Sequence, residues 1–159
     1  MSIENLCKIF SDVPKTLILK TEALRIGVRF SERALVAFKG IDTQFKGYGL
    51  FSQDMQKAVV SQSKIPNFFY LKSDDTGIIV RTNSASPYFI DYLEGKFLIC
   101  DETGPVDDIY FPPAPKWLNS TLADGSPVQE IVYTVAKDKA FCVFNYYCEY
   151  WKTSEQCLF

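Results

Sequence analysis

The 159-residue chain is predicted to be an α+β domain, with short N-terminal helices packed on a mainly antiparallel β-sheet of consecutive hairpins. Three observations lead there. Apolar residues recur at helical spacing near the N-terminus, and from Asn67 onward strand-length apolar runs alternate with turn residues. The chain is also 47% hydrophobic and 15% aromatic, enough at this length to bury an ordinary core.

Residues 2–10 suit a short helix, because Ile3, Leu6, Cys7 and Phe10 share a face. Asp12 can cap a second helix, Pro14 suits its first turn, and Leu19, Ala23 and Ile26 recur until Gly27 stops it, so a helix is expected over about 14–26. Residues 28–30 and 34–38 are β-prone, and Gly40, Gly47 and Gly49 break the stretch that follows. Ser52 opens a further helix that ends before Pro66. Residues 68–71 and 78–80 flank the turn-rich Asp74-Asp75-Thr76-Gly77, and residues 88–93 and 96–100 flank Glu94-Gly95. These are two hairpins, expected to run on as a four-stranded meander. Four prolines between Pro105 and Pro115 predict a crossing loop kept out of any central strand. A helical turn is expected at Lys116-Trp117-Leu118 and a turn at Asp124-Gly125. A last hairpin, 131–135 with 140–144 across Lys137-Asp138, delivers the chain to Asn145-Tyr-Tyr-Cys148.

Composition narrows the function. A net charge of -2 argues against a basic nucleic-acid binder. No apolar run reaches the roughly 18 to 20 residues of a membrane span, and Met-Ser-Ile-Glu-Asn lacks the features of a signal peptide, so a cytoplasmic protein with no membrane partner is expected. Histidine is absent, which excludes Ser-His-Asp and Cys-His catalysis and leaves sulfur and oxygen as metal donors.

The five cysteines are odd in number and unevenly placed, which argues for reduced thiols. Cys7 and Cys100 sit among apolar neighbours and read as core residues, as does Cys142 in the apolar run Phe141-Cys142-Val143-Phe144. Cys148 and Cys157 differ, since Glu149, Lys152, Ser154, Glu155 and Gln156 make the loop between them polar. Thiolates there can reach a metal. A zinc site from Cys142, Cys148 and Cys157 is the weaker option, because its gaps are unlike those of zinc knuckles. The adjacent acids Asp74-Asp75, Asp101-Glu102 and Asp107-Asp108 read as solvated turns. The glycines between Gly40 and Gly49 lack the ending of a phosphate loop. Tyr146, Tyr147, Tyr150 and Trp151 suit either a ligand pocket or a hydrophobic seam.

The run Cys148-x-Tyr150-Trp151-x-x-x-x-x-Cys157-x-Phe159 resembles the cluster motif of radical S-adenosylmethionine proteins, in a branch whose first gap is eight residues instead of three. Upstream, Leu122-Ala-Asp-Gly-Ser-Pro127 and the hairpin into Cys148 resemble the segment preceding that loop, and Ser86-Pro87-Tyr88-Phe89 fits the family's N-terminal region. The resemblance implies that Cys148 and Cys157 are two of three thiolate ligands of a [4Fe-4S] cluster, the third following Phe159. It implies that Phe159 lies near the adenine of S-adenosylmethionine, whose reductive cleavage yields a 5′-deoxyadenosyl radical. The implied layout is an accessory domain over 1–147 and the start of the cluster loop over 148–159, partnered by a C-terminal radical S-adenosylmethionine barrel of the same protein. The substrate is an unknown small molecule or peptide. Alone, the chain is expected to be inactive and to bind neither cofactor. The alternative is a stand-alone cytosolic binding or interaction domain with structural cysteines.

Overall fold

In the computed structural model, which describes residues 2–43, 65–128, 132–135, 137 and 139–142, the chain divides into two units, Met1–Lys46 with Ser63–Pro113 and Gly47–Gln62 with Ala114–Phe159. The first opens with α1 (Ile3–Ile9), where Ser2 Oγ accepts from Asn5 N. Helix α2 (Lys15–Ile26) follows from Pro14 and ends at Gly27, near the expected limits. Pro14, not Asp12, occupies its N-cap, and no side chain caps that end.

Strand β1 (Arg29–Phe30) leads directly into α3 (Glu32–Ala37) and a 3-10 turn at Phe38–Gly40. This corrects the β-prone reading of 34–38. Ser31 caps α3, its Oγ accepting from Ala34 N at 3.1 Å, and this local bond outweighs the weak β-preference of a short apolar run. The helix that begins at Ser52 in the sequence reading lies outside the described residues.

Strands β2 (Phe68–Leu71) and β3 (Gly77–Ile79) form the first expected hairpin, and β4 (Phe89–Leu93) and β5 (Lys96–Asp101) the second. Glu94 and Gly95 both take positive φ, 48° and 79°, the turn whose twist suits a two-residue hairpin. The hairpins do not run on into each other. Strand β6 (Gly104–Tyr110) lies between β5 and β2, giving the order β1-β4-β5-β6-β2-β3. A seven-residue strand thus replaces much of the expected proline loop. Pro105 is tolerated because it lies opposite Cys100, where the ladder shifts register, and the other prolines follow the strand.

All pairings in this sheet are antiparallel except β1 with β4. The sheet curls until its outer segments meet. Val28 and Thr82 form a parallel bridge, with Val28 N donating to Arg81 O at 2.7 Å and Asn83 N to Val28 O at 3.0 Å. Gly27 makes that approach possible, since its φ is 90° and a Cβ there would stand 2.8 Å from Arg81 O. Ile90, Ile99, Ile109, Leu71, Phe69 and Ile78 line the buried face of the sheet, where Leu19 and Ala23 of α2 and Ala34 of α3 join the same core. Phe38 stacks on Phe97 and meets Phe30 and Phe111 edge-on, which ties the 3-10 turn to the sheet.

The second unit contains a 3-10 turn at Lys116–Asn119, as expected, and the hairpin of β7 (Val132–Val135) with β8 (Lys139–Cys142). Among the described residues no helix is long and apolar enough to cross a membrane.

Candidate functional site

Cys148, Cys157 and Phe159, together with Tyr146, Tyr147, Tyr150 and Trp151, lie outside the described residues. The described chain approaches them through β7–β8, in which Val132 pairs with Cys142 and Val135 with Lys139 around the expected turn. Upstream, Leu122-Ala-Asp-Gly-Ser-Pro127 is a tight turn closed by a Thr121–Pro127 bridge. Leu122 N donates to Ser126 O at 2.8 Å, and the Asp124 carboxylate accepts from Ser126 N at 2.9 Å and from Ser126 Oγ at 2.5 Å. Those bonds hold the Asp124 carboxyl below its usual range.

The first unit contains a polar constellation that the sequence reading did not single out. Asp91, on β4 and almost fully buried, accepts from Ser31 Oγ at 2.5 Å, Tyr92 N at 2.9 Å, and Arg33 Nη2 and Nε at 2.6 and 3.2 Å. Burial works against its charged form, but the bonds from Ser31, Tyr92 and Arg33 outweigh it and hold the carboxyl below its ordinary value. The sequence signal was the capping serine at Ser31. Its partner, 60 residues away, is set by the β1–β4 pairing.

Two of the acid pairs read as solvated turns are placed differently. Asp101 is 2% exposed and accepts from Ile3 N at 2.8 Å and from Thr103 N and Oγ at 2.8 and 2.5 Å, so it anchors the start of α1 to the end of β5. Asp107 lies within β6, accepting from Ser73 Oγ, and its neighbour Asp108 meets Lys96 across the ladder at 3.7 Å. Asp74 and Asp75 do occupy the β2–β3 turn, where Asp74 accepts from Thr76 N and Asp75 from the Tyr110 hydroxyl.

Tyr88 is buried and its hydroxyl donates to Glu22 Oε2 at 3.1 Å, while Arg25 holds the same carboxylate with two nitrogens at 2.8 and 2.9 Å. Burial, then the Glu22 carboxylate, push the Tyr88 phenol far up, so it remains a proton donor. Cys100 is buried as expected, its thiol pushed up to about 11 by burial and then by Asp91 and Asp101. Such a thiol is a packing group rather than a nucleophile. Cys7 is half-buried against the same core.

Every buried side-chain polar atom among the described residues has a partner, and no group of three or more acids and cysteines there is arranged to hold a metal. The Asp91 and Asp101 constellations lock elements together. No protein-family profile matches the chain, and neither a curated protein nor a solved structure matches it.

Proposed function

We propose that this chain is the N-terminal accessory domain of a cytoplasmic radical S-adenosylmethionine enzyme whose substrate is a small molecule or peptide. The observation that supports this reading is the spacing of Cys148, Cys157 and Phe159 in a polar stretch of sequence that follows the β7–β8 hairpin. A hairpin leading into a ligand loop gives that loop a defined point of departure. The chain has no histidine, so its donor chemistry suits the sulfur ligation of an iron–sulfur cluster.

Cys148 and Cys157 would hold two irons of a [4Fe-4S] cluster, and two thiolates are one short of the set that such a cluster takes in this family. The third would come from the residues that continue the loop. Phe159 would offer an apolar face to the adenine of S-adenosylmethionine. The chemistry supplied by the bound group is one-electron cleavage of a sulfonium carbon–sulfur bond. The first unit, with its satisfied polar core, would serve as a rigid accessory body beside the catalytic barrel.

The test is to express the natural reading frame that contains this chain, purify it without oxygen, and record absorption and electron paramagnetic resonance spectra. A reducible [4Fe-4S] signal that changes on adding S-adenosylmethionine and is lost in Cys148→Ala and Cys157→Ala is the expected result. A product that stays colourless after reconstitution with iron and sulfide sinks the proposal and leaves a binding or interaction domain.

A further inference from the structure

Asp124-Gly125 stands in a tight turn of the second unit, and both residues are exposed. The dipeptide carries a reaction of its own, because glycine has no side chain to shield its amide from the aspartate before it. The Gly125 nitrogen attacks Cγ of Asp124 and a bond forms between them, while a carboxyl hydroxyl and the amide hydrogen leave as water. Water then opens the resulting succinimide at the former backbone carbonyl, and the main chain runs on through Cγ as isoaspartate. No oxidant, reductant or metal takes part, and the mass is unchanged.

The turn ties both groups that meet in this ring closure. Gly125 N donates to Leu122 O at 2.9 Å and Leu122 N to Ser126 O at 2.8 Å, the bonds of a three-residue loop that closes on a left-handed glycine, here at a φ of 86°. Asp124 keeps a negative φ, so the turn is of type I, in which its ψ is about 0°. Succinimide formation needs a ψ far from that value, and the rotation breaks the Gly125 bond to Leu122 O. The carboxylate is held as well, by Ser126 N at 2.9 Å and Ser126 Oγ at 2.5 Å. Those bonds keep the carboxyl below its usual range and therefore ionised, whereas the form that cyclises is the protonated acid.

We infer that Asp124-Gly125 is a site of spontaneous isomerisation to isoaspartate, and that the Ser126 hydroxyl restrains the reaction by holding the carboxylate within the turn. Ring closure proceeds from the opened loop, at a rate set by how often the turn opens. A loop held by a few bonds between exposed residues is the kind of segment that opens locally. The inference does not depend on the cluster chemistry proposed above.

The experiment holds the full chain in warm neutral buffer, folded or in urea, and follows isoaspartate at Asp124 by tandem mass spectrometry with electron-transfer fragmentation. Isoaspartate is expected to accumulate about 10-fold or more faster in urea than in the folded parent, and folded Ser126→Ala should exceed the parent roughly 3- to 10-fold, with circular dichroism unchanged. Ser126→Thr keeps the hydroxyl and should stay near the parent rate. Asp124→Glu should give no isomer, since its longer side chain disfavours the ring. Absence of isoaspartate at Asp124 even in urea overturns the inference. So does an equal rate in the folded and urea samples, or a parental rate in folded Ser126→Ala.

Discussion

Asp91 shows how one side chain can decide local structure. Its buried carboxylate joins the cap of α3, the exposed guanidinium of Arg33 and the backbone of β4. Asp91→Asn removes the charge that strengthens those bonds, and a loss of about 2 to 3 kcal/mol is expected from the urea midpoint at pH 7. The sign of the pH dependence follows from the lowered carboxyl. Its contribution is complete above the unfolded value, about 3.9, and disappears as pH falls through the lower folded value. The gap between parent and Asp91→Asn should therefore narrow in urea melts taken at progressively lower pH below 4. Asp101 shifts in the same direction, with burial again opposed by stronger hydrogen bonds, so the parent's acid limb should outlast the loss of Asp91. Both acids were visible in the sequence as letters only. Burial of a carboxylate beside Ser31 or Ile3 follows from the β1–β4 pairing and from the docking of α1 on β5, and no local pattern encodes it.

At the scale of elements, local chemistry and tertiary packing divide the work. The ends of α1 and α3 are written locally, by Ser2 and Ser31 with an acid in each first turn. The two serines nevertheless differ in weight. Ser2 Oγ accepts at 3.3 Å from Asn5 N, whereas Ser31 Oγ both accepts from Ala34 N and donates to Asp91. Ser2→Ala should cost about 1 kcal/mol and Ser31→Ala about 2 to 3 kcal/mol in chemical denaturation. Equal losses would show that the Asp91 bond adds nothing. The C-terminal end of α2 is closed from afar, Asn83 Nδ2 donating to Ile26 O at 2.8 Å while Arg81 reaches Leu24 O and Arg25 O. Gly27 was legible as a stop signal, but these distant caps were not.

At the scale of the whole molecule, the first unit is stabilised by a core that no consecutive stretch supplies. Ile99 is fully buried on the central strand β5, between Ile90 of β4 and the β6 ladder. Ile99→Ala should cost about 2 to 5 kcal/mol, read as a shift of the urea midpoint at unchanged slope. The second unit contributes the β7–β8 hairpin and the turn at Asp124. Helices α1 and α2, the two hairpins and the turn at Lys116–Asn119 were readable because each depends on residues a few positions apart: a helical stripe, a stop glycine, a Glu-Gly turn. The insertion of β6 between β5 and β2, the meeting of Val28 with Thr82 and the burial of Asp91 and Asp101 were decided only by the tertiary structure. Strand order and charge placement depend on which apolar faces cover one another across tens of residues, and that choice minimises exposed surface for the whole unit. The cysteine spacing at 148 and 157 belongs to the local class, and it was read from the amino acids alone.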